Sequence, residues 1–519
     1  MWLFLGITTL LRLIQLPSME LAPDEAYYWD WSRRLDWGYY DQGPFVAYIL
    51  YFTTKLFGIT ELGVRIGVLV ASLGTLVCCG VLARRVFSER AAFFAVLLLG
   101  MTPLMEVGSI IATYDPFMVL FWAITLLLLE RALFSPDAEQ QRKAWLWAGV
   151  TTGLGFLSKH TMLLILPCLV LFLLLSPAHR PWLRRPLPYL AFGVCLLLYG
   201  GVFYWNSQHH WWTFGHLFFL AKKDFGVPIK RFGDFIGSQA LLLGPVLFFA
   251  TLSACRFRGK DSTSGGNKQE YSPNIADNTS LSAETTHYWR LRFLVCCGLP
   301  ILLLFSLMTL KAKVQGNWAP CAWLTLTVLW AGWLAGLQDQ ARAWRWITAS
   351  VLTSLFVTVV ILSPALRLRM GIRIPPQDDL SNQVYGWRET ATRVQQVRDE
   401  MNALGKPAFI ATNSYQYSGL MAFYLPDHPQ TFKLYLHTRL SMYAAHIEDL
   451  KAHLGENAIY VNDNEVEDGY LREIFERVEW DTPMPIWRYA YSKEPVRTLH
   501  IARCYGFKRY IGLEWAEGG

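Results

Sequence analysis

A chain of 519 residues that is 53% hydrophobic, holds 22 tryptophans and gives only 17% of its positions to charged side chains is outside the range of water-soluble globular proteins and within that of polytopic membrane proteins. The net charge of +7 comes with no basic cluster large enough for a nucleic-acid surface, so nucleic acid is excluded as a partner and the lipid bilayer is the expected surroundings. Of nine cysteines only Cys504 falls in the polar C-terminal region, and no disulfide or metal-type spacing is readable, so burial as small hydrophobes is expected.

The chain begins apolar, with no basic leader and no small-residue cleavage site before Pro23, which reads as a retained span. Directly after it comes Pro23-Asp24-Glu25-Ala26-Tyr27-Tyr28-Trp29-Asp30-Trp31-Ser32 and then Gly38-Tyr39-Tyr40-Asp41-Gln42-Gly43-Pro44. Pro23 suits the first position of a helix, and carboxylates in its first turn complement the helix dipole. Asp24, Tyr27, Tyr28 and Trp31 recur at i, i+3, i+4 and i+7, an aromatic face with one carboxylate, suited to the headgroup layer. Glu25 points about 100° away from that face, so the two acids are expected to have different tasks.

Apolar stretches of bilayer-crossing length recur about eleven times. They lie near residues 1–17, 62–84, 91–107, 114–134, 143–158, 160–177, 188–206, 236–255, 291–310, 317–337 and 346–364. Basic residues mark alternate loops as cytoplasmic: Arg84 to Arg90, Arg142-Lys143, His179 to Arg185, Arg256 to Arg292, and Arg342 with Arg345. The complementary set faces outward, and it includes the Asp24 to Asp41 loop, the links at Lys159 and at Lys311 to Gln315, the loop His209 to Asp234, and everything after Pro364. The Ser-, Asn- and Gly-rich segment Gly259 to Thr286 lacks periodicity and reads as a disordered cytoplasmic insertion. Past Pro364 the composition becomes that of a soluble protein. Ala408 to Ala411 and Ala458 to Val461 predict buried strands, and Trp387 to Leu404 and Leu440 to Leu454 predict helices. The expected division is a membrane domain over 1–364 and an extracytoplasmic α/β domain over 365–519.

Ionisable groups at a membrane edge are functional candidates by default. On the outer side these are Asp24, Glu25, Asp41, Arg65, Asp115, Lys159, His216, Lys311 and Lys313. Carboxylates with a His and several cations suit a general base beside a site for a phosphate or a bound cation.

The stretches PDEAYYWDWS and GYYDQGP, with TYDPF at Thr113 to Phe117, GLGFLSKHT at Gly153 to Thr161 and NWAP at Asn317 to Pro320, resemble the bacterial polyprenyl-phosphate-dependent glycosyltransferases. These include the lipid A aminoarabinose transferases and the protein O-mannosyltransferases. DDLSNQVYGW near Asp378 and FYLPDHP at Phe423 to Pro429 resemble the periplasmic tail of the same group. The resemblance implies a GT-C fold of about eleven transmembrane helices in the bacterial inner membrane with the C-terminal domain in the periplasm. It implies transfer, with inversion, of a monosaccharide from a polyprenyl-phosphate-sugar donor to a lipid- or protein-linked acceptor outside. By the same resemblance Asp24 matches the catalytic base, Asp41 a second-loop acid linked to cation binding or acceptor positioning, and Asp115 the acid opening the fourth span. Glu25 is counted with these acids. Arg65, Lys159, Lys311 and Lys313 are the cations available to the donor phosphate, and Asp41 with His216 the candidates for a divalent metal ion. Gln42-Gly43-Pro44 departs from the aminoarabinose transferases, which carry a Lys before paired prolines. Asp24, Asp41 and Asp115 are expected to converge on an outer cavity with a cation among them. The competing reading is a transporter or flippase of a lipid-linked glycan, which calls for mid-span charges and inverted repeats. A third is a family member whose tail only binds glycan or a partner.

Overall fold

The computed structural model describes residues 1–222, 227–254, 282–376, 378–434, 440–463, 468–489 and 494–509. Most of the polar segment Gly259 to Thr286 lies outside them; its last residues cap and open the helix Ala283–Cys296. The eight described cysteines are free, and all but Cys78 are buried.

Each of the eleven apolar stretches coincides with a helix or a broken helix pair. Five are long and apolar enough to cross a membrane: Glu61–Val86, Asp115–Phe134, Pro186–Gln208, Ala283–Met308 and Gln340–Leu362. Three bent pairs raise this to as many as eight. The protein is a polytopic α-helical membrane protein with a C-terminal extracytoplasmic β-sheet domain. At the basic ends of the bundle, buried Glu130 receives Arg85 and Arg290, tying three helices together.

Two expectations need correction. The helix Phe45–Phe57, too short to cross a bilayer, was not expected; it buries Val46, Ala47 and Leu50 while leaving Phe52, Leu56 and Phe57 exposed. The first-loop helix Pro23–Ser32 does not present one open aromatic face, because Glu25 through Ser32 are all buried. It turns 88° from the preceding helix and is covered on its other side by the C-terminal domain.

That domain holds a mixed sheet of β1 (Ala408–Thr412), β2 (Thr431–Lys433), β3 (Asn457–Asn462), β4 (Phe475–Trp480), β5 (Met484–Ile486) and β6 (Arg497–Phe507). The order is β2-β1-β3-β6-β4, with β1 parallel to β2 and β3, β6 antiparallel to β3 and β4, and β5 paired with β6. The helix Trp387–Ala403 stands where expected. The stretch Leu440 to Leu454 is a 3₁₀ turn, Met442–His446, followed by only Ile447–Lys451. Its consecutive residues Met442, Tyr443 and Ala444 are all buried, so the segment lacks the one-sided apolar face of the expected helix.

Candidate active site

Asp24 and Glu25 are separated by the geometry of one helix turn. Glu25, at the third position, reaches back to the Ala22 N–H at 2.7 Å, as a capping-box carboxylate does. Its oxygens also accept from the Ala112 N–H and from Arg65 Nε and Nη2, at 2.7 to 2.8 Å. The remaining Arg65 hydrogens go to the carbonyls of Leu16, Met19 and Glu20. All five guanidinium donors are thereby used. Glu25 and Arg65 are both 0% exposed. The pair pins the first loop to the span Glu61–Val86, giving Glu25 a task different from that of Asp24, and every Arg65 donor is engaged within the protein.

Asp24 is half-buried, and its Oδ1 accepts from Gln416 Nε2 of the C-terminal domain at 2.9 Å. Asp41, in the second half of the loop, accepts from the Tyr27 hydroxyl at 2.7 Å, and its other oxygen lies 3.7 Å from His216 Nε2. Asp115 opens the helix Asp115–Phe134 and is held at 2.6 Å by Lys159 Nζ and at 3.1 Å by Asn317 Nδ2. The Lys159 ammonium also lies 5.1 Å from the centre of the Tyr114 ring. Tyr114 and Tyr28 stand among the three acids, their rings meeting edge to face at 5.4 Å. The charges of Asp24 and Asp41 act on both hydroxyls, and that of Asp115 on Tyr114.

The loop is brought to this point by a missing side chain. A Cβ on Gly43 would stand 2.1 Å from the Leu157 carbonyl oxygen, so only glycine lets the strand of loop lie on that backbone. Gln42 then bonds His160 Nδ1 at 2.7 Å, and His160 Nε2 bonds the Tyr199 hydroxyl at 2.6 Å. Lys311 and Lys313 are exposed on the link that leads to Asn317, alternating with buried Ala312 and Val314. Gln416 did not stand out in the sequence, and Tyr27 and Tyr114 did so only as members of PDEAYYWDWS and TYDPF. Asn317 did so only through NWAP, and nothing around Gln416 signals that it meets a residue 392 positions away. A cavity of about 130 Å³ lies at the other end of the first-loop helix, lined by Asp30, Arg33, Lys433 and Tyr443 among others, and Asp24 is not part of it.

Among the described residues no group of three or more His, Cys, Asp and Glu is placed to hold a metal ion. Asp41 and His216 offer one oxygen and one nitrogen.

A bundle of this kind, with acids gathered at its outer face beneath an extracytoplasmic sheet domain, has a counterpart among solved structures. The structure of ArnT from Cupriavidus metallidurans bound to undecaprenyl phosphate superposes with a TM-score of 0.64 at 16% identity, over 96% of this chain and 97% of that one. The profile of the dolichyl-phosphate-mannose-protein mannosyltransferase family matches residues 41–205. The lipid A galacturonosyltransferase RgtD of Rhizobium johnstonii is 27% identical over 390 residues, 74% of each chain. An undecaprenyl phosphate-alpha-4-amino-4-deoxy-L-arabinose arabinosyl transferase of Pseudomonas aeruginosa is 26% identical over 189 residues, 34% of each chain. The chain therefore has the fold of ArnT, and over about three quarters of its length it is similar in sequence to a lipid A galacturonosyltransferase.

Proposed function

We propose that the protein transfers one sugar, with inversion, from a polyprenyl-phosphate-linked donor to a lipid- or protein-linked acceptor at the outer face of the membrane, Asp24 being the base. The observation that carries this reading is the convergence of Asp24, Asp41 and the Lys159–Asp115 pair on Tyr28 and Tyr114 beneath the extracytoplasmic domain. The acceptor hydroxyl gives its proton to Asp24 as its oxygen bonds the anomeric carbon. The bond from that carbon to the phosphate oxygen breaks, and the polyprenyl phosphate leaves as an anion that needs no protonating acid if cations cover it. Lys159 is neutralised by Asp115, so the excess positive charge for that anion comes from exposed Lys311 and Lys313. Purified protein is expected to turn over a polyprenyl-phosphate-linked sugar and to leave a nucleotide sugar untouched when no lipid carrier is present. Turnover of the nucleotide sugar alone would refute the reading.

Eleven spans follow if Ala138–Ser158, His160–Leu175 and Pro320–Gly336 cross with the five single helices and three bent pairs. The membrane domain then covers 1–364 and the extracytoplasmic domain 365–519. We assign a divalent ion to Asp41 and His216, where it would supply positive charge near the reacting groups. Chelation is then expected to lower transfer, with divalent ion restoring it, while Asp41→Asn becomes indifferent to both.

A further inference from the structure

The extracytoplasmic domain touches Asp24 directly and reaches Asp41 through Tyr27. Its helix Tyr415–Tyr424 lies against the first-loop helix so closely that a Cβ on Gly419 would stand 2.7 Å from the Tyr27 nitrogen and 2.8 Å from the Ala26 carbonyl carbon. Gln416 and Gly419 are three residues apart and share one helix face, as Asp24 and Tyr27 do on the other helix. Seating Gly419 on Tyr27 therefore sets Gln416 over Asp24, and Nε2 meets Oδ1 at 2.9 Å. The Tyr415 ring rests on that of Tyr27 at 4.5 Å, and the Tyr27 hydroxyl, which donates to Asp41, accepts from the Met442 N–H at 3.0 Å.

We propose that Gln416 is a positioning residue for the transfer reaction: its amide, delivered by backbone contact at Gly419, fixes the Asp24 carboxylate in its working orientation and favours its ionised form, so that the active site is complete only with the extracytoplasmic domain docked. This rests on the reading of Asp24 as the base. A neutral side chain suits the place. It orients the carboxylate and favours its charged state without the tight ion pair that a Lys or Arg would impose, which would make the base too weak. Among the described residues, the ionisable groups that face Asp24 include Tyr28 on its own helix and Tyr114 at the start of the span Asp115–Phe134, with Asp41, Tyr415 and the Lys159–Asp115 pair around those two hydroxyls.

The test is the pH profile of kcat/KM for transfer from a polyprenyl-phosphate-linked sugar by the full-length protein. Gln416→Leu, of similar volume but with no donor, is expected to move the acid limb up by about one pH unit, so that activity falls about tenfold on that limb and recovers as pH rises. Gln416→Glu sets a like charge beside Asp24 and is expected to move the limb further in the same direction. Gly419→Leu, which separates the helices and leaves Gln416 intact, is expected to reproduce the Gln416→Leu profile. Detergent-solubilised monodispersity and the thermal midpoint are followed in parallel. Wild-type activity in Gln416→Leu, or a loss that is uniform across pH with the limb unmoved, would overturn the proposal. If Asp24→Asn is inactive in the same assay while either of those results is obtained, only this inference fails; if Asp24→Asn is active, the assignment of the base fails with it.

Discussion

At position 24 an Asn side chain would still accept the Gln416 hydrogen through its own Oδ1, but it could not take a proton from an acceptor hydroxyl. Asp24→Asn is therefore expected to lower transfer by on the order of 10²- to 10⁴-fold with the protein folded and inserted, which in vitro transfer measured beside expression level will decide. Glu25→Gln should fail differently. On sequence grounds it is merely the milder of the two substitutions, but in the structure it leaves Arg65, at 0% exposure, without its counter-charge. Uncompensated buried charges cost about 3–5 kcal/mol, so the thermal midpoint of the solubilised protein should fall sharply, whatever turnover the surviving fraction keeps.

The short helix Pro364–Arg369, which leaves the last apolar helix, is fastened to the sheet domain through Arg367 and Asp379. Burial pushes the Asp379 carboxyl up, but hydrogen bonds from Arg367 and Ser381 outweigh it and hold the group below its ordinary value of 3.8. A carboxyl depressed in the folded state contributes stability that is fully present above its unfolded value and is lost as pH falls through the folded one. Acid unfolding of the domain is therefore expected to include a component at and below about pH 4. Asp379→Asn should remove that component and be the less stable protein at neutral pH, and tryptophan fluorescence followed against pH tests both. Similar fastenings run along the face turned to the bundle, where Glu20 accepts from the Trp387 N–H at 2.6 Å, Glu61 pairs with Arg388, and Tyr443 donates to Asp30 at 2.6 Å.

For the whole molecule, the eleven proposed spans would place the N-terminus in the cytoplasm and residues after Pro364 outside, in agreement with the arginine-bearing loops. A reporter that matures only outside the cytoplasm should be active when fused after Leu362 and inactive when fused within Arg180–Arg184. Activity at the second position would break the alternation. The same orientation places Asp24, Asp41 and Asp115 on the face covered by the sheet domain, and Glu130 with its two arginines at the opposite end.

Composition and apolar run length were enough to read a polytopic bundle, its orientation and its soluble tail, because a bilayer imposes one length and one polarity on every crossing helix. The acids were legible for a related reason, since a carboxylate at the edge of a membrane is costly and stands out against its neighbours. The helix Phe45–Phe57 did not stand out, being apolar but shorter than a span. Which of two adjacent acids is buried against an arginine and which meets the extracytoplasmic domain was decided by contacts between distant residues. Arg65 lies 40 positions from Glu25, and Gln416 lies 392 positions from Asp24. Neither partner has a local pattern of its own, because hydrogen bonds between remote segments depend on how helices dock and leave no periodicity in the chain. Docking here is set by two glycines, Gly43 and Gly419, whose missing side chains let one backbone rest on another.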